Sequence, residues 1–165
     1  GTWRDDPDIN YGGYLGDAGS HRLDNLFYLT GLSLSELAAR STKSGSRVEI
    51  VTLVNGELRD GTNREVPFSL SFVGNSNSFH EELFIHCEKA DLIVRDFQFF
   101  IGQDDKVKLV ELPPEQSGRE STQNPVNGFL DLVYGAAENI SPFECALPVF
   151  DMTTAILDSA RSRNS

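Results

Sequence analysis

The chain is poor in cysteine, in basic residues and in long apolar runs. Only 14 Lys and Arg stand against 25 Asp and Glu among 165 residues, a formal net charge of −11. Only four of the 14 are lysines. So few basic residues argue against a nucleic-acid footprint, which needs clustered Lys and Arg to meet phosphate, and against docking on an anionic membrane surface. The two cysteines, Cys87 and Cys145, cannot build a disulfide scaffold and read as small buried hydrophobes. No apolar run approaches the roughly 20 residues of a membrane span, and no basic-then-apolar leader opens the chain. What remains is a soluble, acidic domain of the cytoplasm. Its length suits a single domain, 1–165, with a sizeable core.

Motifs with known chemistry are also missing. There is no Gly-x-Gly-x-x-Gly, since Gly12 is followed two residues later by Tyr14, and there is no P-loop. His80-Glu81-Glu82-Leu83-Phe84 begins like a zincin helix, but Phe84 stands where the second histidine is required. Asn139-Ile140-Ser141 fits a glycosylation sequon by chance, with Pro142 behind it.

What is present divides by hydrophobic period. Gly1 to Gly19 is turn-rich and reads as a loop. Ser20 then caps a helix carrying Leu23, Leu26, Phe27 and Thr30 on one face, with Gly31 as its stop. From Leu34 to Val110 the signal is of strands. Arg47–Val54 runs into an Asn55-Gly56 turn, and Pro67–Val73 alternates with Phe68, Leu70 and Phe72 on one side. Glu82–Cys87, Leu92–Arg95, Phe97–Ile101 and Lys106–Val110 are further short strands. Their short connections imply antiparallel pairing. A polar loop from Leu112 to Asn124 precedes a helix over Pro125–Asn139, with Phe129, Leu132, Val133 and Ala136 on one face. A final helix follows Ser141-Pro142-Phe143-Glu144, with Cys145, Val149, Met152 and Ile156 along a stripe; Pro148 predicts a kink or a late start. The expected class is α+β, a mostly antiparallel open sheet with helices packed on one face.

Chemistry concentrates at the entry to the first helix. Asp17 lies just before it and His21 in its first turn, so both side chains can face one cleft. The helix N-terminus disfavours the imidazolium, whereas the Asp17 carboxylate favours it and can fix the tautomer. That is general acid–base apparatus. The same spacing also suits a helix cap or a surface ion pair, and the pattern alone does not choose. Asp17, His21 and Asp24 lack the further ligands of a metal site, so no metal is expected. His86, alternating with Ile85 and Cys87, reads as a sheet-face residue.

The run Gly12-Gly13-Tyr14-Leu15-Gly16-Asp17-Ala18-Gly19-Ser20-His21-Arg22-Leu23-Asp24 resembles the signature of the Gfo/Idh/MocA oxidoreductases, the group of glucose–fructose oxidoreductase and inositol dehydrogenase. Softer matches follow at Leu29-Thr30-Gly31, at Asn55-Gly56, over Ile85–Val94, over Ser141–Leu147 and at Ser159-Ala160, covering nearly the whole chain. The resemblance implies a C-terminal α+β domain that supplies substrate contacts and an oligomer interface on its sheet. NAD or NADP would be bound mainly by a Rossmann domain absent from this chain. It implies His21 as the group that takes or gives the hydroxyl proton of a sugar or polyol, and Asp17 as the group that orients it. Trp3, Arg4 and Tyr14 are candidates for the substrate wall. The family's Gly-rich fingerprint and its Glu-Lys-Pro motif, which carries a third catalytic group, are missing. The expectation is therefore the C-terminal portion of a longer two-domain enzyme, inactive alone and at least dimeric. A non-catalytic sheet domain for ligand binding or assembly is the alternative.

Overall fold

The computed structural model describes residues 2–111, 125–139 and 141–162. In chain order its elements are α1 (Ser20–Thr30), β1 (Ser33–Thr42), β2 (Val51–Arg59), β3 (Glu65–Val73), β4 (Glu82–His86), β5 (Asp91–Arg95), β6 (Gln98–Gln103), β7 (Lys106–Leu109), α2 (Pro125–Val133) and α3 (Leu147–Ser162). Every strand pairing is antiparallel, within a three-stranded sheet β1-β2-β3 and a four-stranded sheet β4-β5-β6-β7. The class is α+β, as expected. The chain divides into two compact units, Gly1–Ser76 with Ser141–Ser165, and Asn77–Ile140.

The first unit holds the main core. β3 alternates as its sequence demands, with Val66, Phe68 and Leu70 half-buried, Phe72 buried, and the residues between them exposed. Central β2 buries Thr52, Val54 and Leu58 on the same side, and the Thr52 hydroxyl is satisfied by Ser41 Oγ across the strands at 3.0 Å. Onto that face α3 lays Met152, Ile156 and Ala160, one per helical turn, and α1 adds Leu23, with Leu15 just before it. The opposite face carries Leu53, Asn55, Ser69 and Ser71, all exposed. The helices thus cover one face only. Edge strand β1 is blunted by α3, whose Ser159 Oγ accepts the Ala39 N–H at 3.0 Å.

Several boundaries differ from expectation for identifiable reasons. Asn55-Gly56 is no turn: it lies within β2, paired with Ala38 and Leu37 on one side and Ser69 and Phe68 on the other. A Cβ on Gly56 would sit 2.2 Å from the Glu36 carbonyl oxygen, where β1 carries a register shift between Leu34 and Glu36. The glycine is there for close strand approach, not for chain reversal. The turn falls earlier, around Ser44 and Gly45 with φ of 43° and 88°, so the strand expected from Arg47 starts at Val51. Ser20 does not cap a helix either. It is already helical, within a helical run from residue 13 to 30, and its hydroxyl donates to the Asp17 carbonyl at 3.1 Å. Gly31 does end that run, in the left-handed conformation. The late start predicted from Pro148 is observed: a 3₁₀ turn, Phe143–Ala146, precedes α3.

The second unit is a meander of β4 to β7 with buried Ile93 in its β5 strand. Arg95 pairs with Gln98, so Asp96 and Phe97 form a two-residue turn with φ of 46° and 68°, and the expected strand start at Phe97 moves on by one residue. Helix α2 stops at Val133, ahead of left-handed Gly135, rather than running to Asn139. Its Phe129 and Val133 are exposed. Both cysteines are exposed, which corrects the expectation of burial. The polar loop expected over 112–124 lies outside the described residues.

Candidate functional site

The amino-terminal segment is folded against the first helical run rather than loose beside it. Asn10, a buried polar residue, donates from Nδ2 to the Arg4 carbonyl at 2.8 Å and from its backbone to Asp6 at 2.7 Å. This pins a 3₁₀ turn over Trp3–Asp5. From that turn Arg4 Nε donates to Asp17 Oδ2 at 2.5 Å, and the Arg4 guanidinium stacks on the Trp3 ring at 4.7 Å. The Asp17 carboxylate therefore bonds Arg4, not His21.

Asp17 occupies the middle of a π-helical turn, Leu15–Gly19, closed by a Ser20 N–H to Leu15 carbonyl bond. Such one-turn bulges insert a residue into a helix and recur at functional sites. The run enters this turn through Gly13, at φ 57°, where a Cβ would lie 2.2 Å from the Glu49 carbonyl oxygen. Only glycine fits there. Tyr14 follows, its N–H bonded to that same Glu49 carbonyl at 2.9 Å and its ring closing over Gly74 beside Ile50.

One turn beyond the bulge, His21 and Asp24 are exposed on the rim of an open groove of about 530 Å³. Its opposite wall comes from the chain around the start of α3, chiefly Phe143 and Phe150. Thr153, on the groove lining, has a buried Oγ1 with no hydrogen-bond partner among the described residues. The His21 side chain likewise makes no hydrogen bond among them.

The sequence-predicted residues thus separate into three placements. Trp3, Arg4 and Asp17 form one stacked, ion-paired group. His21 stands on the groove, and Tyr14 is packed beside the core. Among the described residues no three His, Cys, Asp or Glu side chains converge as metal ligands, Asp17, His21 and Asp24 included. His86, on exposed β4, holds its Nδ1 3.1 Å from Asp91 Oδ1 with its ring against Phe84. Sequence reasoning missed Asn10 as the pin, and it missed Phe143 and Phe150 as a wall. Both aromatics lie off the Met152–Ile156–Ala160 stripe, and an apolar residue off the buried stripe is the signal that was there to find.

No family model and no curated protein matches the chain. Solved structures do. An aldose-aldose oxidoreductase from Caulobacter crescentus, complexed with glycerol, superposes with a TM-score of 0.77 at 19% identity, over 98% of this chain and 49% of its own. The WlbA dehydrogenase from Bordetella pertussis, in complex with NADH and UDP-GlcNAcA, gives 0.65 at 19%, over 92% and 45%. Biliverdin reductase from Synechocystis, in complex with biliverdin and NADP+, gives 0.69 at 13%, over 96% and 49%. The chain spans about half the length of the solved chains it matches. The likeness to these oxidoreductases is thus one of fold, over about half of each solved chain.

Proposed function

We propose that this chain is the substrate-binding and dimerisation domain of an NAD(P)-dependent oxidoreductase acting on the hydroxyl or carbonyl group of a sugar or polyol. The observation that carries this reading is the combination of the shared fold with His21 unbonded on the groove rim, one turn from an Asp17 held in place by Arg4. The chain's own residues do not suit a dinucleotide. It lacks a Gly-x-Gly-x-x-Gly turn, and its described strands are all antiparallel, whereas the dinucleotide fold needs a parallel βαβ unit. The nicotinamide, held by a Rossmann domain outside this chain, supplies the hydride acceptor or donor.

In this reading His21 accepts the hydroxyl proton as the carbinol becomes a carbonyl, and returns it in the reverse direction. An imidazole free of internal bonds and open to the groove is available to a substrate hydroxyl. Asp17 acts as an electrostatic and positioning partner. Arg4 and the Asn10-pinned turn fix its carboxylate one helical turn from His21. Trp3 and Arg4 are held to this arrangement by their contacts with each other and with Asp17, and do not themselves line the groove beside His21.

In the two-domain enzyme, His21→Ala should lower kcat by about 10²–10⁴ with a small change in KM, the loss expected for a general acid–base group. Wild-type turnover in that variant would remove the assignment.

The assembly role has its own support. Val126, Phe129, Val133 and Tyr134 on and just beyond α2, and Phe84 and Leu109 on one face of the four-stranded sheet, are exposed apolar side chains of the second unit. Grouped exposed apolar side chains mark interaction sites in soluble proteins. A second copy of the chain, meeting it through the sheet face, is the occupant we propose.

A further inference from the structure

The groove beside His21 has two unlike walls, and their chemistry narrows what it can hold. One wall is polar and acidic: Ser20, His21 and Asp24, with Asp24 exposed. The other is aromatic: Phe143 is 82% and Phe150 67% exposed, unusual values for phenylalanine beside a concave surface. Among the described residues no lysine or arginine lines the groove. The buried hydroxyl of Thr153 lacks a partner among the described residues, and a hydroxyl can turn to meet a donor or acceptor brought to it.

A saturated ring bearing hydroxyls has the same two-sided character, with O–H groups around its edge and C–H bonds on its face. The electron-rich face of a phenyl ring attracts the positive C–H side, while carboxylate and imidazole bond the hydroxyl edge. A phosphate or nucleotide diphosphate would meet the Asp24 carboxylate with no lysine or arginine among the described lining residues to offset the repulsion. We infer that Phe143, Phe150 and Asp24 are specificity-determining residues. They select an uncharged polyhydroxy ring laid flat on the two phenyl groups, and they reject its phosphorylated or nucleotide-linked forms. The inference rests on the substrate reading above for its reaction, but not for its binding step, which needs no nicotinamide.

The test uses the 165-residue chain itself. Methyl β-D-glucopyranoside and glucose 6-phosphate are titrated separately, and aromatic and amide NMR shifts report the site. The glucoside should move Phe143, Phe150 and His21 resonances with a millimolar Kd, and glucose 6-phosphate should bind at least tenfold more weakly. Phe150→Ala and Phe143→Ala should each weaken the glucoside about fivefold or more. Both side chains are largely exposed, so unchanged circular dichroism is expected to accompany that loss. Asp24→Asn should narrow the gap between the two probes. Equal or tighter binding of the phosphate, shifts confined to other residues, undiminished binding in both phenylalanine variants, or no binding of either probe would each overturn the inference. The outcome is independent of His21→Ala turnover, so failure of the specificity assignment and failure of the catalytic one are read separately.

Discussion

Replacing Gly56 by alanine tests the placement of β2 most directly, because a strand and a turn at Asn55-Gly56 predict different results. In the structure a Cβ at this position falls 2.2 Å from the Glu36 carbonyl oxygen and 2.9 Å from Leu37 Cα. The closest C–H···O contacts between strands are about 3.3 Å, so β1 would have to retreat by roughly 1 Å. Both obstructing atoms are backbone, and no side-chain rotation relieves them. Overpacking of this kind costs about 1–3 kcal/mol, and a strained ladder hydrogen bond adds about 1 kcal/mol. Alanine's lower backbone entropy in the unfolded chain returns about 0.5–1 kcal/mol. The expected net destabilisation is about 2 kcal/mol, which for a domain of this size is a Tm lower by roughly 4–8 °C.

The companion variant Asn55→Thr has the opposite expectation. Asn55 is an exposed position of a central strand, opposite Ala38 and Ser69, and threonine there should gain a few tenths of a kcal/mol. A two-residue Asn-Gly turn would need positive φ at both residues, and a β-branched residue is badly placed for that. Urea unfolding followed by far-UV circular dichroism, with the slope checked for constancy, measures both variants. A Gly56→Ala cost under about 0.5 kcal/mol, or an Asn55→Thr loss above about 1 kcal/mol, would refute the strand assignment.

Two further outcomes are expected. The Glu57 carboxyl is held above its ordinary range by the neighbouring Glu65 charge first, then by desolvation and by Glu36. Because its folded-state value is raised, its favourable contribution is complete below the unfolded value and is lost as pH rises through the folded one. Glu57→Gln should therefore raise Tm at neutral pH and leave it unchanged in acid; an unchanged Tm at both would exclude repulsion as the cause. Sedimentation equilibrium should find at least a dimer, and Phe129→Asp with Val133→Asp should shift it toward monomer if α2 borders the interface. A wild-type monomer at high concentration would remove the assembly role.

What the sequence made legible, and what it hid, follows from the range of the forces involved. β3 was readable because alternation is local: Phe68, Leu70 and Phe72 declare their face without reference to any other strand. The stop at Gly31 and the late start at Pro148 are equally local, being matters of φ and of a missing N–H. Asn55-Gly56 was misread because its strand character comes from elsewhere, from the shift in β1 that brings the Glu36 carbonyl against residue 56. The π-helical turn was hidden for the same reason. Gly12, Gly13, Gly16 and Gly19 look like loop punctuation, yet Gly13 is required by the Glu49 carbonyl and Gly19 packs against Phe72 of β3. At the candidate site, the spacing of Asp17 and His21 was visible, but not that Arg4 takes the carboxylate. That bond depends on Asn10 folding the amino-terminal turn back onto the helix, an arrangement of three separated positions with no periodic signature. The same holds for the groove. Phe143 and Phe150 lie more than a hundred residues from His21, and only the packing of α1 against α3 brings them opposite it. A chemical pair can be proposed from spacing along one helix, whereas the wall that selects its substrate is a product of tertiary packing and needs coordinates to be seen.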